Sequence, residues 1–113
     1  MKFRTEQHGD VTIISLDGNL MGGPDATTLN NKIHELIEAG KKQVVIDLAG
    51  VRFMNSSGLG VLIGTLSTLR SSGGNLKIAN ATPKITSLIE ISKLSSVFQT
   101  YASTSDAVAS YKK

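Results

Sequence analysis

Two adjacent serines, Ser56 and Ser57, are the residues of this sequence whose type and position most favour chemistry. They follow residues 44–48, a short apolar β-branched run typical of a strand buried on both faces, and precede a helical apolar period that begins at Leu59. The serines therefore fall at the start of a helix, where backbone N–H groups lack intrahelical partners and the helix dipole is positive. A phosphate there would be stabilised, and would bring a charge of about −2 to the surface.

Two other roles for these serines remain open. In the first, one serine only caps the helix, which is a common use of Asn-Ser-Ser before an apolar run. A serine nucleophile would instead need a neighbouring base and an orienting acid. Neither His8 nor His34 has a spacing that points to the serines, and the Gly-x-Ser-x-Gly elbow of hydrolases is absent. We therefore predict no enzymatic activity, no catalytic residue, no cofactor and no metal site.

Composition narrows the class of protein further. The 113 residues are 40% hydrophobic and 19% charged, contain no cysteine, and carry a formal net charge of +3. If the terminal Lys112 and Lys113 are left out, the chain has ten basic and nine acidic residues. It has only five Phe and Tyr residues. Nucleic-acid binding is disfavoured by this scattered charge. No apolar run approaches the roughly 20 residues of a membrane span, and no signal peptide is evident. We expect one cytoplasmic domain over residues 1–113, without membrane insertion.

Strands are predicted at four further places. The Gly9-Asp10 turn predicts a hairpin that pairs residues 3–8 with residues 11–16. Beyond the buried run at 44–48, residues 76–79 and 97–101 have the composition of strands.

Four helices are predicted between and after these strands. The first begins at Pro24 and Asp25, and the second contains the apolar period from Leu59 to Leu69. Thr82-Pro83 opens the third, and Ser105-Asp106 opens the last. The order β-β-α-β-α-β-α-β-α predicts an α/β fold with a mixed sheet of four or five strands and about four helices.

The segment around the serines resembles a known family. The residues Phe53-Met54-Asn55-Ser56-Ser57-Gly58-Leu59-Gly60-Val61-Leu62 after a buried strand are similar to the motif of STAS domains of the anti-sigma factor antagonist type. The resemblance covers nearly the whole chain, because the element order, the Gly73-Gly74 break and the Thr82-Pro83 helix start also match.

The resemblance implies a binding function. In such a domain an anti-sigma factor that is also a serine kinase binds the motif, phosphorylation of the first serine blocks binding, and a phosphatase restores it. By this resemblance, Ser56 is expected to be the phosphorylation site. The partner-binding surface comprises the motif and the loop before the first helix, with Asn55, Ser57, Gly58, Leu59, Gly60, Val61, Met21 and Asp25 as its members. The domain is expected to be a monomer or a weak dimer.

The sequence departs from the family pattern at two places. Asn55 stands where the family usually has an acidic residue, and the loop Gly18-Asn19-Leu20-Met21 replaces a typical Gly-Glu-Leu-Asp. Asp25 then either supplies the missing acid or caps the first helix. Asn55 also leaves open a second function, a constitutive subunit of a larger assembly such as a lipid-transport ATPase complex. In that case Gly60 and Gly64 would belong to a permanent docking helix, whereas otherwise they would allow close packing against the sheet.

Asp47 is the remaining polar residue of note. A carboxylate inside an apolar strand is costly unless it is paired. We expect it to accept hydrogen bonds from backbone N–H groups of residues 50–53, in preference to acting as a catalytic acid.

Overall fold

The computed structural model describes residues 2–112, so Met1 and Lys113, at the two ends of the predicted domain, lie outside the described residues. It consists of one five-stranded sheet and four helices in the predicted order. The elements are β1 (Lys2–His8), β2 (Val11–Leu20), α1 (Pro24–Glu38), β3 (Gln43–Met54), α2 (Ser56–Ser71), β4 (Asn75–Ala79), α3 (Pro83–Ile91), β5 (Gln99–Tyr101) and α4 (Thr104–Tyr111).

The strands follow one another across the sheet in the order β1-β2-β3-β4-β5. Strand β1 pairs antiparallel with β2 through the two-residue turn Gly9-Asp10, with His8 opposite Val11, and the other pairs are parallel. This confirms the predicted hairpin and the mixed sheet. Because β2, β3 and β4 are parallel, their carboxyl ends meet at one end of the sheet, where α1, α2 and α3 begin.

The two faces of the sheet carry separate apolar clusters. On one face Ile14 of β2 and Ile46 of β3 pack against α1, α2 and α3, in a cluster that includes Leu29, Leu62 and Ile85. On the other face, Val11, Ile13 and Val45 pack against Ala107 and Val108 of α4. Neighbouring residues of β2 enter different clusters, because successive side chains of a strand point to opposite faces of the sheet.

A buried lysine ties α4 to the sheet. The ammonium group of Lys77, a residue that is only 6% exposed, donates a 2.6 Å hydrogen bond to the Ser110 hydroxyl. It also lies 4.2 Å from the ring centroid of Tyr111 and 5.6 Å from that of Tyr101. The Tyr111 hydroxyl donates a 2.8 Å hydrogen bond to the carbonyl oxygen of Val44. Burial raises the pKa of Tyr111 well above its usual range.

Four predicted boundaries were wrong. Strands β2 and β3 extend to Leu20 and Met54, because the two strands remain paired beyond two register shifts. The Asp, Gly and Asn residues in this stretch are typical of turns, which is why the sequence predicted shorter strands. Residues 97 and 98 are not in β5, since both of their N–H groups donate to the carbonyl of Leu94 in a turn. Helix α4 begins at Thr104, because Ser103 caps it by accepting the N–H of Asp106.

The partners predicted for Asp47 were also wrong, because residues 50–53 belong to β3 rather than to a loop. The Asp47 carboxylate instead accepts hydrogen bonds from the N–H of Ala49 at 3.0 Å, the Asn80 amide at 2.9 Å and the Ser15 hydroxyl at 3.2 Å. Three donors from three segments satisfy this half-buried carboxylate, which supports a structural role.

Candidate functional site

The side chain of Asn55 caps α2. Its backbone is extended, with φ −100° and ψ −177°, and its Oδ1 accepts a 2.8 Å hydrogen bond from the N–H of Gly58. Its carbonyl oxygen accepts the N–H of Leu59 at 2.9 Å. The alternative in which Ser56 or Ser57 caps the helix is therefore wrong, since both serines lie inside the first turn.

Both serine side chains are exposed at the carboxyl end of β3. Because Asn55 accepts the N–H groups of Gly58 and Leu59, the N–H groups of Ser56 and Ser57 are the two in this turn without an intrahelical acceptor. An anion attached to either hydroxyl would lie near these donors and the positive end of the helix dipole. The local geometry can therefore accept a phosphate without unfolding the helix.

A close backbone contact holds the loop of residues 20–25 against the serines. A Cβ atom built on Gly58 would collide with the carbonyl oxygen of Leu20, so only glycine fits there. A Cβ atom on Gly22, where φ is +90°, would lie 3.0 Å from the Cβ of Ser57. The loop and the motif, which the resemblance assigned to one surface, thus adjoin one another.

The alternative in which Asp25 caps α1 is wrong. The N-cap is Gly23, which has no side chain to donate or accept, and Pro24 takes the first helical position. Asp25 is half-buried in the first turn, where the helix dipole stabilises its carboxylate. A negative charge therefore lies on the loop side of the site, although Asn55 itself is uncharged.

Two exposed apolar side chains border the serines. Phe53 is 50% exposed and Met21 is 44% exposed, and they lie at the adjoining carboxyl ends of β3 and β2, where Leu20 pairs with Met54. Large exposed hydrophobic residues of this kind favour contact with another protein. Met21 was among the predicted surface residues, whereas Phe53 was missed, because the predicted strand ended before it and the sequence pattern does not show whether an aromatic residue in a loop is exposed.

A groove of about 610 Å³ between α1 and α2 opens beside Ser57. Its walls carry no charged side chain; they consist of Gly22, Gly23, Ala26, Thr27, Asn30, Ser57, Gly60, Val61, Gly64, Thr65 and Thr68. A Cβ atom on Gly60 or Gly64 would meet no atom of the described residues within 4 Å, so the interpretation that these glycines allow close packing against the sheet is wrong. They face the groove instead.

The other motif residues divide between surface and core. Gly58 and Leu59 are buried, with Leu59 only 3% exposed, so in the free domain their side of the turn packs against the chain. Val61 is half-buried at the groove. We define the motif surface as Met21, Phe53, Ser56, Ser57 and the groove-facing side of α2.

Neither histidine adjoins the serines. His8 contacts Glu6 and lies at the hairpin turn, level with the first residue of β2 and so at the opposite end of the sheet. His34 is exposed ten residues into α1, or about 15 Å along the helix from its start. Within residues 2–112 no cluster of His, Cys, Asp and Glu could hold a metal ion, and no helix is long and apolar enough to cross a membrane.

Sequence comparison identifies the class of protein that this fold and site define. A model of the STAS domain family matches residues 2–107, and the chain belongs to this family. The anti-sigma F factor antagonist of Paenibacillus polymyxa is 26% identical over 102 residues, which cover 89% of this chain and 86% of the relative. The anti-sigma-B factor antagonist of Bacillus subtilis is 32% identical over 83 residues, which cover 74% of this chain and 75% of the relative.

A solved structure agrees with this assignment. An anti-sigma factor antagonist from Mycobacterium paratuberculosis superimposes with a TM-score of 0.82 at 25% identity, covering 99% of this chain and 94% of that protein.

Proposed function

We propose that this chain is an anti-sigma factor antagonist that binds an anti-sigma factor with serine kinase activity, and that phosphorylation of Ser56 prevents this binding. The observation that carries the proposal is the exposed hydroxyl of Ser56 on the first turn of α2, whose cap is supplied by Asn55. A kinase can therefore modify Ser56 without removing a capping hydrogen bond. The curated relatives named above are antagonists of anti-sigma factors, which favours this partner class.

The surroundings of Ser56 explain how a phosphate would act on binding. Met21 and Phe53 offer apolar area to the partner, and the groove beside Ser57 has no charged wall. A phosphate brings a charge of about −2 into the middle of this surface, where the partner would have to desolvate it or face it with cations. The unphosphorylated surface therefore binds, and the phosphorylated surface does not.

The same geometry implies the order of regulatory steps. The phosphate is stabilised by the N–H groups of Ser56 and Ser57, so the modified domain remains folded until a phosphatase removes the phosphate. Dephosphorylation returns the original surface without refolding. The domain itself performs no chemistry in this cycle, because kinase and phosphatase supply both reactions.

The test uses the anti-sigma factor kinase encoded in the same genome, with ATP and magnesium. Intact mass should show one added phosphate on the natural protein and on Ser57→Ala, and none on Ser56→Ala. Titration calorimetry should show that Ser56→Asp binds the kinase at least about tenfold more weakly than Ser56→Ala, a difference of about 1.4 kcal/mol. Phosphate on Ser57, or equal binding by both Ser56 variants, would disprove the proposed switch.

The open positions around Gly60 and Gly64 favour a second candidate, a constitutive subunit of a larger assembly such as a lipid-transport ATPase complex. A partner helix can approach α2 closely there, because no atom of residues 2–112 occupies the space of a side chain. Affinity purification distinguishes the two functions. Stoichiometric recovery of a membrane ATPase would support the second candidate, and recovery of a kinase released by ATP would support the first.

A further inference from the structure

The edge strand β1 carries a charge pattern that the function proposed above does not use. All of its residues except Phe3 are exposed, and its outer side lies at the edge of the sheet. Alternate residues of an edge strand direct unpaired N–H and C=O groups outward, which makes such an edge a template for another strand. Proteins commonly protect such edges with charged residues, so the arrangement of the charges decides what can pair.

Arg4 and Glu6 lie on the same face of the sheet without an opposite charge across from them on β2. The register places Arg4 opposite Ser15 and Glu6 opposite Ile13. Glu6 does contact His8 within its own strand. Asp47 of β3 lines a pocket together with Arg4 and Glu6. A directly opposed charge for either residue can come from the side of β1 away from β2, because β2 offers none in this register.

A second copy of the same strand supplies those charges in one register only. A two-fold axis perpendicular to the sheet through Thr5 sets Arg4 of each copy opposite Glu6 of the other. Opposite charges directly across an antiparallel pair are stabilising. Moving the axis to Arg4 places Arg4 opposite Arg4, although Lys2 then lies opposite Glu6, and moving it to Glu6 places Glu6 opposite Glu6. Like charges directly across an antiparallel pair are destabilising, so only the axis through Thr5 gives both Arg4 and Glu6 an opposite charge.

We propose that this chain forms a dimer through antiparallel pairing of β1 with β1 of a second copy, joining two five-stranded sheets into one of ten strands. Thr5 lies on the two-fold axis, with two reciprocal pairs of Arg4 and Glu6 beside it. The contact is confined to one strand from each copy, so the dimer is weak. It uses no residue of the motif surface and does not depend on the proposed function.

The first experiment measures dimerisation by sedimentation equilibrium up to a concentration on the order of 1 mM. Arg4→Glu alone and Glu6→Arg alone should each weaken the dimer by about tenfold or more, because each places like charges opposite one another twice. The double variant R4E/E6R should restore the natural affinity. Lys84→Glu, which makes the same charge change on an exposed residue of α3, should have no effect.

An equimolar mixture of the two single variants provides a sharper test. A heterodimer of Arg4→Glu with Glu6→Arg has two opposite-charge pairs, whereas either homodimer has two like-charge pairs. Dimers should therefore reappear on mixing. Mixed dimers no more abundant than the homodimers would overturn the proposal, as would a natural chain that remains monomeric throughout the concentration range. The β1 edge would then be open to a strand of a different protein.

Crosslinking tests the position of the axis. The chain has no cysteine, so Thr5→Cys introduces the only thiol. Directly opposed residues on paired strands are close enough for a disulfide, and mild oxidation should convert most of this variant into a covalent dimer. Ser87→Cys, an exposed position on α3, should crosslink much more slowly. Equal rates for the two variants would contradict the proposed register.

Discussion

The side-chain oxygen of Asn55 lies 2.8 Å from the backbone nitrogen of Gly58 and accepts its hydrogen bond. This one contact performs two tasks at the start of α2. It satisfies an N–H group that the helix itself leaves without a partner, and it leaves the hydroxyl groups of the neighbouring serines outside the capping hydrogen bond. An asparagine can do this as well as an aspartate, so replacing the usual acidic residue changes the local charge while preserving the cap.

The Asn55 cap can be tested by substitution. Asn55→Ala should lower the free energy of unfolding by about 1 kcal/mol, because the N–H of Gly58 loses its acceptor. Asn55→Asp should keep the cap and raise stability by about 0.3–1 kcal/mol at low salt, because a carboxylate interacts favourably with the helix dipole. Urea titrations at neutral pH measure both changes. Equal stability of the natural protein and Asn55→Ala would contradict the capping role.

Gly58 and Gly60 allow a matched comparison within one turn of α2. Gly58→Ala should destabilise the protein by about 3 kcal/mol or more, because the new Cβ would collide with the carbonyl oxygen of Leu20. Gly60→Ala should stabilise it by about 0.5–1 kcal/mol, because its Cβ meets nothing within 4 Å and alanine favours the helix. Thermal and urea unfolding distinguish the two. Similar effects at both positions would contradict the close contact between α2 and β2.

Phe53 is expected to act in binding rather than in folding. Phe53→Ser should lower the free energy of unfolding by only about 1 kcal/mol, because half of the residue is already exposed. It should weaken binding of the anti-sigma factor kinase by about tenfold, since exposed aromatic residues commonly carry binding energy. The control is Ile91→Ser, which alters an exposed apolar residue, 79% exposed, at the last position of α3. Equal losses of affinity in the two variants would exclude a local contact at Phe53.

The buried phenol of Tyr111 should make the free energy of unfolding depend on pH in alkaline solution. Burial keeps its phenol protonated in the folded state, whereas an unfolded tyrosine loses its proton near about pH 10. Since only the unfolded state is stabilised by deprotonation, the free energy of unfolding should fall as pH rises above about 10.

Tyr111→Phe removes this group, and its free energy of unfolding should therefore depend less on pH between about 9 and 11. It should also be lower at neutral pH by about 1 kcal/mol, because the carbonyl oxygen of Val44 loses its donor. Urea titrations of both proteins across this pH range test the prediction, since the two proteins differ at this residue alone. Parallel pH profiles would contradict it.

The order of elements was predictable because it depends on local patterns. Alternation of apolar residues at 11–16, helical periods such as the one from Leu59 to Leu69, and the turn and start residues Gly9-Asp10 and Thr82-Pro83 are all short-range features. Each identifies an element without knowledge of its neighbours. The position of Ser56 was predictable for the same reason, because residues between a strand and the helix after it lie at the start of that helix.

The remaining features depended on contacts between residues far apart in the chain. The extension of β2 and β3 to Leu20 and Met54 required their pairing with each other, which overrides turn-forming residues. Likewise, the Asp47 carboxylate accepts hydrogen bonds from Ser15 and Asn80, which lie thirty-two and thirty-three residues away in the chain, and not from residues 50–53.

The sequence by itself therefore determined the elements, their order and the serine at the start of α2. Only the tertiary structure decided which residue caps that helix, which glycine is held against Leu20 and which glycines open into the groove. The physical reason is that propensity and periodicity act over a few residues, whereas hydrogen-bond partners, close contacts and exposure are set by which segments the sheet brings side by side.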